Sequence, residues 1–234
     1  MQESRREKKI TVKFFLNEAV EPVKGEGKKQ YYPLYVQVTY RRKNMQFRSK
    51  YGEYYASLDE VKPSLIRFEE KAIKSIVTYE ARKEKGEYDL KGLKRKYELY
   101  SLSILEVLEQ YLKPKLRLAS LKTGSELAGV LNFGDPNVTV GQLYEAARLL
   151  FQGFEDTLSE KLKEELESYA VYQKMERPVL AYNFLTLIEW ADGSCKQRLE
   201  ETLAKAFKGN SNTVTGVKTL LDHAVKAKLK DLDT

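Results

Sequence analysis

Three segments near the start of the chain alternate apolar and polar side chains with a period of two. In Lys9–Asn17, Ile10, Val12, Phe14 and Leu16 fall on one side and Lys9, Thr11, Lys13 and Phe15 on the other. In Tyr32–Arg41, Tyr32, Leu34, Val36, Val38 and Tyr40 oppose Tyr35, Gln37, Thr39 and Arg41. In Asn44–Tyr51, Met45, Phe47, Ser49 and Tyr51 oppose Gln46, Arg48 and Lys50. This period marks strands with one buried and one solvated face. Only Arg42 and Lys43 separate the second and third segments, which predicts a hairpin, although neither residue favours a type I′ turn. Glu18–Tyr31, with Gly25 and Gly27, is expected to be a mobile basic loop.

After residue 56 the period becomes helical. Ser57-x-x-Glu60 reads as a capping box, Pro63 suits a first turn, and Leu65, Phe68, Ala72, Ile76 and Tyr79 form the expected apolar stripe. A sheet with one apolar face needs a cover, and this helix is the candidate. A second pattern spans Lys91–Leu112, carries Leu102, Leu105, Leu108 and Leu112, and is expected to stop at Pro114. Residues 117–136, with three glycines and a proline, read as a linker. Helices are then expected behind Thr139-x-x-Gln142, behind Thr157-x-x-Glu160, from Pro178 to Gly193, behind Ser194-x-x-Gln197, and from about Thr213 to Leu232. The expected fold class is therefore α+β: an N-terminal three-stranded antiparallel sheet covered by a helix, followed by a C-terminal helical bundle. The expected domains are a basic sheet-and-helix module over 1–116, a linker over 117–136 and a bundle over 137–234.

Charge sharpens this picture. The chain has 234 residues and a net charge of +7, with 41 Lys and Arg against 34 Asp and Glu. Residues 1–51 contain thirteen basic and five acidic residues, a net of +8, so the remaining 183 sum to −1. An imbalance confined to one segment points to a polyanionic partner for that segment. The solvated side of the predicted sheet gathers Lys9, Thr11, Lys13, Tyr35, Gln37, Thr39, Arg41, Gln46, Arg48 and Lys50, with Arg42 and Lys43 at the turn and no acid among them. Lys and Arg attract phosphates, while Gln, Arg and Thr can also read base edges. These twelve residues are the expected DNA-binding site. Arg5, Arg6, Lys8, Lys24, Lys28 and Lys29 are expected to add backbone contacts.

Candidate catalytic chemistry is sparse. The single cysteine, Cys195, and the single histidine, His223, allow neither an internal disulfide nor a Cys- or His-rich metal site. Cys195 falls in a predicted first turn without an adjacent His, and His223 has no ligand partner on its own helix. Glu164-Glu165-x-Glu167 reads as a solvated helix face. There is no P-loop, GxGxxG or zinc spacing and no run approaching ~18 apolar residues, and the opening MQESRREKKI, charged but without an apolar run behind it, is not expected to be a secretory signal. No catalytic residue, metal or cofactor is expected, and the expected location is cytoplasmic, with the nucleoid.

The run ITVKFFLNEA…KKQYYPLYVQVTYRRKNMQFRSKYG, then a long helix and EKGEYDLKGLKRKYE, resembles the N-terminal arm-type DNA-binding region of phage-integrase-like tyrosine recombinases of Bacteroidetes mobile elements. The resemblance covers about residues 9–110. It implies a three-stranded sheet with a helix, the sheet binding arm-type DNA sites. TVGQLYEAARLLF and NTVTGVKTLLDHAVKAKL resemble the first and last helices of that family's SAM-like core-binding domain. The family's catalytic set departs from this sequence: His223 is followed by Ala-Val-Lys rather than by His-x-x-Arg spacing, and no tyrosine lies after it. The resemblance thus implies a non-catalytic, integrase-like DNA-binding protein of a mobile element. Its expected partners are double-stranded DNA, a recombinase or a second copy of the chain, and no membrane. The rival expectation is a structural or adaptor protein whose helical bundle oligomerises or holds other proteins.

Overall fold

The computed structural model describes residues 9–24, 29–85, 87–124, 131–179, 185–207 and 210–232. The chain is α+β and divides into two compact units, Met1–Ser101 and Leu102–Thr234.

The first unit is built on one long strand. Strands β1 (Thr11–Leu16), β2 (Val23–Lys24), β3 (Gln30–Tyr40), β4 (Lys43–Arg48) and β5 (Tyr54–Tyr55) form an antiparallel sheet in which every other strand pairs with β3. The expected three strands are β1, β3 and β4. The correction is two further strands, β2 and β5, which pair with Gln30–Tyr31 and Tyr32–Pro33 at the start of β3. Strands of two residues are too short to show a period, so alternation could not reveal them. β2 also lies inside the segment expected to be a loop, whose Gly25 and Gly27 fall outside the described residues.

Alternation places Leu34, Val36, Val38, Tyr40 and Phe47 on the buried face. The turn is one residue earlier than expected: Arg41 and Arg42, with φ of 51° and 63°, join β3 to β4. Positive φ at both positions is what a type I′ turn requires.

Helices α1 (Pro63–Lys83) and α2 (Leu93–Tyr100) complete the unit. Pro63 is in the first turn of α1, as expected, but Ser57 and Glu60 form no capping box there. They belong to a short 3-10 turn, Leu58–Glu60, where Glu60 accepts from the Ala56 N–H at 3.0 Å. The buried stripe of α1 is Glu69, Ile73, Ile76, Val77 and Glu80. It is rotated from the expected one because two of its five members are glutamates, which hydrophobic periodicity counts as solvent-facing. Phe68 of the expected stripe is exposed and packs edge-on with Tyr51, centroids 5.4 Å apart. Glu69 accepts from Ser49 Oγ (2.5 Å), the Lys50 N–H (3.0 Å) and Tyr97 Oη (2.6 Å), joining sheet, α1 and α2. Glu80 accepts from Tyr100 Oη at 2.7 Å and from the Lys96 ammonium. Buried carboxylates persist where donors replace their lost hydration, and both have such donors.

The second unit contains α3 (Ile104–Lys122), α4 (Val140–Leu150), α5 (Glu160–Val179), α6 (Leu187–Ala191), α7 (Lys196–Ala206) and α8 (Ser211–Leu229). The expected Lys91–Leu112 helix is split at residues 101–103, because Ser103 and Glu106 form a capping box that starts α3. Pro114 does not stop α3. It is exposed, as is Gln110, so the carbonyl that loses its partner can face water. Consequently α3 runs through residues 117–122 of the expected linker. The units divide at Ser101, not near 116, and the Asp135 carbonyl ties the following segment to Lys113 Nζ at 2.9 Å.

The Thr139–Gln142 capping box forms as read from the sequence. Ser159, rather than Thr157, caps α5, accepting from the Leu162 N–H at 3.2 Å. Pro178 lies in the last turn of α5, and α6 starts later, at a Thr186–Glu189 capping box. Cys195, not Ser194, is the cap residue of α7, and Asn210 caps α8 through the Thr213 N–H at 3.2 Å. α8 packs on α3 and α5. A Cβ at Gly216 of α8 would come within 2.8 Å of Ser168 Oγ, so that crossing is close because residue 216 has no side chain. Among the described residues no helix is long and apolar enough to cross a membrane.

Candidate nucleic-acid interface

The antiparallel register sets nine side chains in three rows across β1, β3 and β4. Thr11 pairs with Thr39 and Thr39 with Asn44; Lys13 with Gln37 and Gln37 with Gln46; Phe15 with Tyr35 and Tyr35 with Arg48. Directly paired residues project to the same face, so the three rows form one surface. It is the face opposite Val36, Val38 and Phe47 and carries no carboxylate. Lys13, Asn44, Gln46 and Arg48 are exposed, and the other five are partly so.

Hydrogen bonds within the rows hold its polar groups. Thr39 Oγ1 donates to Asn44 Oδ1 at 2.7 Å, and Gln46 Nε2 donates to Gln37 Oε1 at 2.8 Å. The Arg48 guanidinium lies over the Tyr54 ring, 4.9 Å from its centroid. Phe15 and Tyr35 pack with centroids 6.0 Å apart, so the third row is aromatic at one end and cationic at the other.

The twelve residues expected from the sequence do not all share this surface. Thr11, Lys13, Tyr35, Gln37, Thr39, Gln46 and Arg48 are in the rows. Lys9 is exposed just before β1, and Arg41 and Arg42 form the turn beyond the first row. Lys43 pairs with core-facing Tyr40, which registers it with the opposite side of the sheet, where it is nonetheless exposed. Lys50 departs furthest. Its ammonium donates to Ser101 O and Oγ, both at 3.1 Å, and its N–H to Glu69, so it is engaged at the end of α2. Alternation cannot anticipate that engagement, because it depends on buried Glu69. Lys24 and Lys29 are exposed, whereas Arg5, Arg6, Lys8 and Lys28 lie outside the described residues. Asn44 and Phe15 join the rows, although the sequence pattern assigns neither a binding role. Asn44 already opens the third alternating segment, and Phe15 shows in the alternation of the first; the one-residue shift of the turn adds Lys43 to β4.

The second unit presents different chemistry. Glu165 is buried, not solvated: it accepts from Lys115 Nζ at 2.5 Å and Tyr111 Oη at 3.1 Å, with His223 Nδ1 3.8 Å away. It therefore joins α3, α5 and α8. Cys195 is buried, and desolvation, with the Glu189 charge second, pushes its thiol up to about 12, so it is not a thiolate nucleophile at neutral pH. A concavity of about 980 Å³ beside the start of α4 is lined by Glu145, Glu155, Asp156 and Glu167 against Lys163, a sign of charge that repels phosphates. Among the described residues no group of three or more His, Cys, Asp or Glu is placed to hold a metal ion.

Comparison with protein families, with curated proteins and with solved structures found no match to this chain.

Proposed function

We propose that the first unit binds double-stranded DNA by setting the β1–β3–β4 face into the major groove. On this reading the chain is a non-catalytic, integrase-like DNA-binding protein of a mobile element. The observation that carries the proposal is the register: it aligns three acid-free rows and ends them at a turn of two consecutive arginines. Three strands at ~4.8 Å spacing place their outer backbones about 10 Å apart, against a groove about 12 Å wide. Lys13 and Arg48 flank the central strand on its two sides, suited to the phosphates of the two groove walls, with Gln37, Gln46, Thr39 and Asn44 between them for base edges. The resemblance to the arm-type region supports the same reading.

The test is a titration of fluorescent duplex DNA with the full chain over a series of salt concentrations. Phosphate contacts by Lys9, Lys13, Arg42 and Arg48 predict a log–log slope of about −3.5 or steeper. A slope near zero, or no binding at low salt, rejects the proposal.

A second reading rests on four exposed leucines: Leu118 and Leu121 of α3, and Leu149 and Leu150 of α4. Apolar side chains exposed to this extent fit an adaptor or self-associating unit. Light scattering across protein concentrations tests it, and a strict monomer that binds no protein partner rejects it.

A further inference from the structure

We infer that the cross-strand pair Gln37–Gln46 is a reader of adenine, placed at the centre of the DNA face. The inference rests on the groove-binding reading above and adds the base that the face recognises.

The two glutamines oppose each other in the central row, with Lys13 on the far side of Gln37. A glutamine amide offers one NH2 and one carbonyl oxygen. Gln46 Nε2 donates to Gln37 Oε1 at 2.8 Å, which joins one group from each residue. The bond uses one of the two Gln46 N–H groups, so Gln46 keeps its second N–H and its carbonyl on one amide. Exchanging the roles of the two amides leaves the same set on Gln37. The donating amide thus offers a donor and an acceptor side by side, held in place by its hydrogen bond to the other glutamine. A free glutamine must give up side-chain freedom to bind, whereas this pair has surrendered much of it already.

The major-groove edges of the four bases divide on this pattern. Adenine presents an acceptor at N7 and a donor at N6, which complement a donor and an acceptor. Guanine presents two acceptors, N7 and O6, so the free carbonyl would face an oxygen. Cytosine offers only the N4 donor, and thymine the O4 acceptor beside a methyl group. Adenine alone uses both outward groups. The neighbouring rows offer this combination less freely. In the first, the Thr39 hydroxyl already takes one lone pair of the Asn44 carbonyl, the acceptor that adenine N6 needs. In the third, Arg48 supplies donors only, and its stacking on Tyr54 fixes its direction. Discrimination by one such two-point contact is roughly 5- to 150-fold.

The experiment is a selection by the full chain from duplexes with a randomised ten-base-pair centre, followed by affinity measurements on the enriched duplex. Wild-type protein is expected to enrich adenine at one fixed position or more. Replacing that adenine by 7-deazaadenine, which removes the N7 acceptor alone, is expected to weaken wild-type binding at least fivefold. The double variant Gln37→Ala/Gln46→Ala is expected to lower the ratio of affinities for enriched over random duplex at least fivefold, while Lys13→Ala lowers both affinities together. Enrichment without adenine, indifference to 7-deazaadenine, or an unchanged ratio in the double variant overturns the adenine assignment while leaving groove binding in place. Absence of binding to any duplex overturns both readings. The deaza substitution uses wild-type protein, so the outcome does not depend on a variant folding.

Discussion

Tyr97 of α2 donates its hydroxyl to Glu69 of α1 at 2.6 Å, at a carboxylate that also receives Ser49 and the backbone of Lys50. One fully buried acid thereby joins both helices to the end of β4. Hydrogen bonds to a charged group contribute about 1.5–3 kcal/mol each. Tyr97→Phe is therefore expected to lower unfolding free energy by about that amount in urea denaturation. Tyr144→Phe, which removes a 3.3 Å bond to Glu155 at an exposed site, is expected to change it by less than about 0.5 kcal/mol.

Stability is expected to fall in alkali. Burial, followed by the charge of Glu69, holds the Tyr97 hydroxyl proton far above its ordinary value of 10.0. Burial, followed by Glu80, does the same at Tyr88, and the Cys195 thiol is raised from 9.0 to about 12. Each of these acids keeps its proton in the fold at a pH where the unfolded chain has released it. Their contribution is complete below about pH 9 and declines as pH rises through 9–12 and beyond. Urea midpoints at pH 7, 9 and 10.5 check this, and Cys195→Ala is expected to show a shallower decline than wild type.

The arginine turn predicts opposing changes in stability and binding. An ordinary residue in the left-handed region costs roughly 1–2 kcal/mol, and the β3–β4 connection places two arginines there. Arg41→Asn/Arg42→Gly supplies the preferred type I′ pair. It is expected to raise stability by about 1–2 kcal/mol in thermal melts and to weaken DNA binding at low salt. A gain in stability with undiminished binding would show that the turn does not touch DNA.

Removal of the flanking cations tests the face directly. Lys13→Ala/Arg48→Ala is expected to weaken duplex binding and to flatten its salt slope by about 2, one for each phosphate that is no longer neutralised. Lys161→Ala/Lys205→Ala removes the same charge from exposed sites in the second unit and is expected to change affinity by less than twofold. Equal weakening in the two variants would assign binding to net charge rather than to the sheet.

Adjacent glutamates in α5 are expected to behave oppositely. Glu165→Ala leaves Lys115 and Tyr111 without their shared acceptor and is expected to cost about 1–3 kcal/mol. Glu164 is exposed, and Glu164→Ala is expected to fall within about 0.5 kcal/mol of wild type. Paired urea titrations separate the two.

Those glutamates also mark how far a sequence can be read. Alternation alone assigns Val36, Val38 and Phe47 to the core and Gln37, Gln46 and Arg48 to the open face, because a strand's period leaves little choice of side. The spacing Thr139-x-x-Gln142 likewise foretells a capping box, since both partners are local. Interactions between distant segments are not legible in this way. Glu69, Glu80 and Glu165 look like surface residues until their donors on other elements are known, and Lys50 looks like part of the face until Ser101 captures it. Pro114 looks like a stop until its carbonyl partner proves to face water. Of the candidate site, the composition is visible in advance. The row register, the hydrogen bonds within it and the shift of the turn need coordinates.

The sheet's wiring orders its assembly in time. β4 meets β3 across two residues, whereas β1 must return to it across a connection containing β2. Closing the shorter loop costs less entropy, so the β3–β4 hairpin is expected to form before β1 is captured. A ligand that bridges Lys13 and Arg48 would hold β1 to β4 across β3 and, by mass action, stabilise the strand with the longer connection.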